Sequence, residues 1–266
     1  MGAAASCGPT SGPYPAVLPA GVSLPNDVSI LQPDDKDAVE KAVSLCAKTF
    51  AGTSGFPGPA EFDWLLFNAK HEIVTDTQER VHRMIPVMTW ALQQAFVLKD
   101  RGICFVVRGK EDAIIGVLVM YLYTSKWKPD SMMLQMKVMR VSGASKWDEP
   151  QQDMMYGSRM YAFDKAINGM KKMYCVGDSS RFACVQVLAV EPEFHNKGFG
   201  TKLLSAASAV ADGLNLPLYL ETDAGQNSAF FEKRGFEELG SWPLEVKNGG
   251  KFEGRFLAMR KAAKSE

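Results

Sequence analysis

Apolar residues recur at helical spacing over two stretches in the first hundred positions. Between residues 34 and 50 they fall at Ala38, Val39, Ala42, Val43, Leu45 and Cys46, and between 78 and 98 at Val81, Met84, Ile85, Met88, Leu92 and Phe96. This spacing predicts two amphipathic helices. Pro86 lies within the second and is expected to interrupt it or to mark its first turn. Between them, residues 51–60 form a Gly/Pro-rich loop and residues 62–67 a short helical stretch. The pattern then changes. Residues 102–108 and 113–123 are continuous apolar runs rich in β-branched and aromatic side chains, parted by the polar turn Gly109-Lys110-Glu111-Asp112. That is a β-hairpin pattern. Residues 156–173 read as helix and 181–190 as a strand limited by Pro192. Residues 201–212 form a helix with Leu203, Leu204, Ala207, Val210 and Ala211 on one face and Gly213 as its stop. A strand over 216–222, a short helix over 226–234, a return into strand at Gly235-Phe236 and a last strand over 252–260 follow. The order αα-ββ-α-β-α-β-α-β-β predicts a single α/β (α+β) domain over residues 27–263.

Residues 1–26 carry no charged side chain and include Pro9, Pro13, Pro15, Pro19 and Pro25, so they read as an irregular tail. They lack the basic start and unbroken apolar core of a secretory signal. Met1-Gly2-Ala3-Ala4-Ala5-Ser6-Cys7 does match the N-myristoylation pattern, with Gly2 as the acyl site and Cys7 as a second acceptor. Acylation at Gly2 and Cys7 would give a peripheral membrane contact. Residues 126–172 differ again, with nine basic and five acidic side chains, and nine of the 14 methionines lie between 132 and 173. Methionine fills irregular gaps in cores and also lines adaptable binding surfaces, so a core role and a pocket-wall role both stand.

Lys+Arg 30 balance Asp+Glu 30, for a formal net charge of zero. A nucleic-acid binder would carry a basic excess. The five cysteines, Cys7, Cys46, Cys104, Cys175 and Cys184, form no C-x-x-C pair and fit neither a disulfide framework nor a zinc site. Scattered thiols in apolar runs suit a reducing, cytoplasmic setting. The three histidines, His71, His82 and His195, form no ligand cluster, so no metal is expected.

The chemistry concentrates in Leu188-Ala189-Val190-Glu191-Pro192-Glu193-Phe194-His195-Asn196-Lys197-Gly198-Phe199-Gly200-Thr201. Strand, glycine-containing loop and helix start follow one another. The first amides of such a helix are unpaired and point at one spot, and the helix dipole adds positive potential, which makes an anion site. A Walker A loop needs Gly-Lys-Ser/Thr, whereas Gly200-Thr201-Lys202 has the order reversed. A dinucleotide fingerprint needs a third glycine where Leu203 stands.

This segment resembles the acetyl-CoA loop of the GNAT superfamily of N-acetyltransferases. The matching elements are Leu188-Ala189-Val190 with Pro192, Lys197-Gly198-Phe199-Gly200 and Leu203-Leu204. Further on come Leu220-Glu221-Thr222, Asn227 and Phe230-Phe231-Glu232-Lys233-Arg234-Gly235-Phe236. The second block is similar to that of the puromycin acetyltransferase-like branch. The resemblance covers residues 181–240 most clearly. It implies a central mixed, mostly antiparallel sheet flanked by helices, with acetyl-CoA as co-substrate and a small-molecule or peptide amine as acceptor. It further implies that the amides of Asn196, Lys197, Gly198, Phe199, Gly200 and Thr201 hold the pyrophosphate, with His195 beside them in the cofactor site. Leu188, Ala189 and Val190 would meet the pantetheine and thioester through a splayed strand, Leu188 donating to the oxyanion. Asn227, Phe230 and Phe231 would complete the cofactor wall.

Two positions depart from the family pattern. His195 stands where the family has Gln or Arg, and Phe231 where many members carry a tyrosine that protonates the thiolate. Tyr219, Tyr174 or water are the substitutes for that acid. Glu221, at the end of its strand, is the candidate base. The alternative to catalysis is a catalytically weak or inactive acyl-CoA-binding regulatory module, lipid-anchored where Gly2 and Cys7 are acylated.

Overall fold

The structure, a computed structural model, describes residues 18–52, 57–66, 74–98, 101–123, 136–138, 140, 154–175, 181–246 and 250–263. Gly2, Cys7, His71 and much of the methionine-rich segment lie outside the described residues.

A seven-stranded sheet carries the domain. Its strands are β1 (Val28–Ile30), β2 (Gly102–Arg108), β3 (Ile114–Tyr123), β4 (Phe182–Val190), β5 (Leu218–Asp223), β6 (Glu237–Trp242) and β9 (Phe256–Lys261), in the order β1-β2-β3-β4-β5-β9-β6. A two-stranded ribbon, β7 (Glu245–Val246) with β8 (Gly250–Lys251), is separate. Only β4 and β5 run parallel, and every other neighbour in the main sheet is antiparallel. The mixed, mostly antiparallel sheet implied by the sequence is therefore found.

Both faces of the sheet are apolar and covered. On one face lie α1 (Lys36–Ala51), α2 (Ala60–Leu65), α3 (Thr77–Val97) and α4 (Met154–Tyr174), packed on Cys104, Val117, Val119, Val187 and Tyr219. On the other lie α5 (Phe199–Gly213) and α6 (Gln226–Glu232), packed on Phe105, Leu118, Val185 and Leu220. Burial on both faces explains why β2 and β3 read as continuous apolar runs. Side-chain caps start the long helices: the Asp35 carboxylate accepts from the Ala38 amide at 3.1 Å, and Asp76 from Glu79 at 2.7 Å. That amide bond, then Arg108, holds the Asp35 carboxyl below its ordinary pKa.

Four details depart from expectation. Pro86 sits mid-helix in α3 without ending it. Its missing donor would have met the carbonyl of exposed His82, which water can satisfy. Gly213 is the last helical residue rather than the stop, and the chain turns at Asn215 with φ of 52°. A Cβ on Gly213 would meet Val22 at 2.9 Å and Pro19 at 3.3 Å. Residues 18–26 of the expected tail lie along the domain, with Val22 and Leu24 against its apolar core. β1 and the ribbon were not expected. A three-residue strand and two-residue strands carry too little periodicity to register.

Among the described residues no helix is long and apolar enough to cross a membrane. Cys46, Cys104 and Cys184 are buried, and burial raises the pKa of the Cys46 and Cys104 thiols, which leaves them poor nucleophiles.

Candidate active site

Strands β4 and β5 pair only over Ala183↔Leu218, Cys184↔Tyr219 and Val185↔Leu220, then part company. The cause lies in β4. Its register against β3 slips between Val119↔Val187 and Met120↔Val185, so Gln186 is an extra residue, a β-bulge. The bulge reverses which way the backbone groups face. Ahead of it the Ala183 amide donates to Pro217 on the β5 side. Beyond it the Glu191 amide donates to Ile115 on the β3 side. By strand alternation Ala189 and Val187 also bond toward β3, and Leu188 and Val190 present their amides to the gap left by β5.

The gap leads to the start of α5. Gly198, at φ of 87°, turns the chain into the helix without a side-chain cap. The first helical bond runs from Lys202 to Gly198, so the amides of Phe199, Gly200 and Thr201 have no helical acceptor. Arg234 stands beside them, its Nη2 donating to the Thr201 hydroxyl at 2.5 Å while the guanidinium stacks 3.5 Å above the Phe230 ring. Two strand amides, three helix amides and a guanidinium thus border one cavity of 850 Å³.

The cavity continues between the sheet and the helices of the first face. Phe50, Phe62, Val87, Phe163 and Ile167 line that part, and so does Glu61 from the first turn of α2. Glu61 is 4% exposed, and its Oε2 has no hydrogen-bond partner among the described residues. Burial, with Asp223 adding to it, pushes its pKa up to about 8.

Residues 157–238 match the acetyltransferase (GNAT) domain family. No curated protein sequence matches the chain. Among solved structures, a histone acetyltransferase HPA2-related acetyltransferase from Corynebacterium glutamicum is similar at a TM-score of 0.53. It has 15% identity over 90% of this chain and 97% of that one. Arylalkylamine N-acetyltransferase 2 from Aedes aegypti aligns at a TM-score of 0.49, with 13% identity over 90% of this chain and 100% of that one. The polyamine N-acetyltransferase of Drosophila melanogaster aligns at 0.48, with 12% identity over 88% and 98%. The fold is that of the GNAT acetyltransferases.

Within this GNAT fold, the residues singled out from sequence nearly all converge. Leu188, Val190, His195, Asn196, Gly198, Phe199, Gly200, Thr201, Glu221, Asn227, Phe230 and Phe231 line the cavity. Ala189 and Lys197 do not. The Ala189 side chain is in the core and its backbone faces β3, and the Lys197 ammonium lies 4.8 Å over the Phe194 ring. His195 turns its Nε2 to the Val190 carbonyl at 2.8 Å, so its ring is engaged by the backbone. Lys202 is bound to Asp27 and lies over Phe199. Asn227 is held by Asp223 through a 2.7 Å bond.

Glu221, the candidate base, lines the cavity and is drawn into an ion pair. Its side chain is 5% exposed and lies 3.8 Å from the Lys171 ammonium, which also donates to the Tyr123 hydroxyl at 3.0 Å. Protonating Glu221 would strand a buried ammonium, an outcome the interior penalises heavily. The proposed substitute acids fare no better. Tyr219 does not line the cavity, and burial, then Glu221, push its phenol well above the ordinary value. The Tyr174 hydroxyl packs against Gly240, away from the cavity. Phe231 is packed edge-on between Phe230 and Phe236. Of the described methionines in the rich segment none lines the cavity; α4 supplies Phe163 and Ile167 instead. Among the described residues no His, Cys, Asp and Glu group gathers as a metal site.

Sequence reasoning missed Glu61. The signal was present, because Glu61 and Leu65 are four apart and share the helix face that Phe62 and Leu65 bury.

Proposed function

We propose that the chain is an acetyl-CoA-dependent N-acetyltransferase that moves the acetyl group directly to a primary amine. The observation that carries this reading is the parting of β4 from β5 beside the uncapped start of α5. Anion-seeking amides and strand amides face one cavity, in the order that a diphosphate followed by an amide-bearing arm requires. Coenzyme A is such a molecule, and its thioester supplies an activated acetyl carbon.

The amides of Asn196 and of Gly198 to Thr201 would hold the pyrophosphate, with Arg234 adding charge at Thr201. The Leu188 and Val190 amides would pair with the pantetheine. The Leu188 amide would donate to the thioester oxygen, where one preorganised donor contributes about 3 kcal/mol as negative charge develops. Phe231 offers no proton. A thiolate leaves acceptably on its own because thiol pKa values lie near about 8.5. The Gly2 and Cys7 pattern adds peripheral membrane contact to the proposal.

An acetyl-CoA turnover screen tests the reading, with thiol release and mass spectrometry of the product followed over aromatic, polyamine, aminoglycoside-like and peptide amines. Transfer to at least one class is the expected result. Tight CoA binding by calorimetry with no transfer to any class would favour a binding module instead. Absence of CoA binding would overturn the site as well.

A further inference from the structure

We propose that Glu61 takes the proton from the acceptor's ammonium, and that the acceptor is a primary amine on an aromatic or branched apolar body. This rests on the acetyl-transfer reading of the same cavity.

Glu61 is placed by elements remote from the glycine loop. Pro57 and Pro59 lead into α2, whose Phe62, Trp64 and Leu65 are buried beneath α1 and α4. The arginine that anchors this helix is fully committed elsewhere. Arg80 Nε donates to the Ala51 carbonyl at 2.6 Å, Nη1 to Val74 at 3.1 Å, and Nη2 pairs with Asp63. The carboxyl two residues away is satisfied, whereas Glu61 is left facing the cavity with Oε2 unpartnered among the described residues. An unpartnered buried carboxyl destabilises a fold, so it fits a group kept for a ligand.

The surroundings say which ligand. The charges that act on Glu61 are acidic, Asp223 of β5 and Asp63 on its own helix, while Phe163 and Ile167 of α4, Glu221 of β5 and Lys48 of α1 line the same cavity. Glu221 is engaged with Lys171, which leaves Glu61 as the other carboxyl lining the cavity to receive a proton. An ammonium entering here meets a carboxyl and then aromatic rings. A polyamine would have to bury further ammonium groups against Phe50, Phe62 and Phe163, which is costly. An aryl or branched alkyl body would instead remove apolar surface from water.

The proton inventory closes. Glu61 as carboxylate accepts one proton from R–NH₃⁺ and leaves R–NH₂. The nitrogen lone pair forms the C–N bond as the C–S bond breaks, the departing thiolate takes the second N–H proton, and Glu61 returns its own to water. The net reaction gives the amide, free thiol and one proton. Burial brings the carboxyl within about two pH units of an ordinary alkylammonium, against about six for an exposed glutamate.

The test compares wild type, Glu61→Gln and Glu61→Asp with 2-phenylethylamine and spermidine as probes. For Glu61→Gln, kcat/KM for 2-phenylethylamine should fall about 100-fold or more while CoA affinity by calorimetry stays within about twofold. The inflection near pH 8 in kcat/KM should vanish, leaving the ionisation of the amine itself, and Glu61→Asp should restore part of the rate. Wild type should favour 2-phenylethylamine over spermidine by at least about tenfold. A glutamine variant within about threefold of wild type, or one that keeps the inflection, overturns the role of Glu61. A preference for spermidine overturns the acceptor class. If wild type binds CoA but acetylates no amine, the acetyl-transfer reading fails on its own. Calorimetric titration of 2-phenylethylamine into CoA-loaded protein then decides Glu61, and equal binding by wild type and Glu61→Gln overturns it.

Discussion

The two parts of the cavity are built from different materials. The wall formed by the end of β4, the loop and the start of α5 works through main-chain amides set by a bulge at Gln186 and a left-handed turn at Gly198. The wall formed by α1, α2, α3 and α4 works through side chains: one buried carboxyl and a ring of apolar groups. A backbone wall tolerates side-chain change but not a change of chain path. A side-chain wall behaves the other way round.

That contrast can be broken in several ways. The largest effect is expected at Lys171→Met, which leaves Glu221 charged and buried without its partner. Stability should drop by about 3–5 kcal/mol in urea denaturation, and Lys171→Met/Glu221→Leu should recover most of it. A small effect would mean that the pair is not structural and would reopen Glu221 as a base.

Next comes Glu61→Gln. The folded pKa of about 8 lies above the ordinary 4.5, so the folded protein binds the extra proton. Wild type is therefore undiminished below pH 4.5 and loses stability as pH rises to about 8. The glutamine variant should be more stable by on the order of 3 kcal/mol at pH 9 and equal at pH 4, as read from thermal unfolding. Equal stability at both would show that the carboxyl finds a partner in solution.

Gly198→Val forces a β-branched residue to φ of 87°, at about 1–3 kcal/mol, and should weaken CoA binding about 10- to 100-fold without altering the pH profile of acetyl transfer. Gly200→Ala is the sharper companion. Its new methyl makes ordinary contacts, with Phe230 at 3.4 Å and Val190 at 3.8 Å, so any loss of CoA affinity reports the approach of the ligand and not damage to the protein. The smallest effect belongs to His195→Ala. It removes one exposed bond to Val190 and should change CoA affinity by no more than about threefold. A large loss there would show that the amide wall depends on a side chain.

The same contrast explains what the sequence disclosed. The amide-lined wall is nearly contiguous, so Leu188, Gly198 and Thr201 could be read together as strand, turn and helix start. The bulge could not be read, because Gln186 looks like one polar residue in an apolar run until its register against β3 is known. The apolar wall draws Phe50, Glu61, Val87 and Phe163 from four helices, and their meeting is a matter of packing, which no local pattern encodes. Glu221 shows the converse. Its place at a strand end suggested chemistry, and Lys171, fifty residues earlier, brings an ammonium to 3.8 Å from its carboxylate. The order of elements along the chain was legible in outline because several strands were long and apolar, whereas β1 and the ribbon fell below the length at which alternation shows.

Strand edges ordinarily lie at the rim of a protein, where their amides recruit other chains. By leaving β5 after Val185, β4 carries such an edge into the interior, between helices on both faces of the sheet. An extended molecule with peptide-like groups along its length can complete the sheet there as an eighth strand would. Such a ligand would be read as a chain, amide by amide, and a molecule with the same phosphates but no such arm would meet only half of the site.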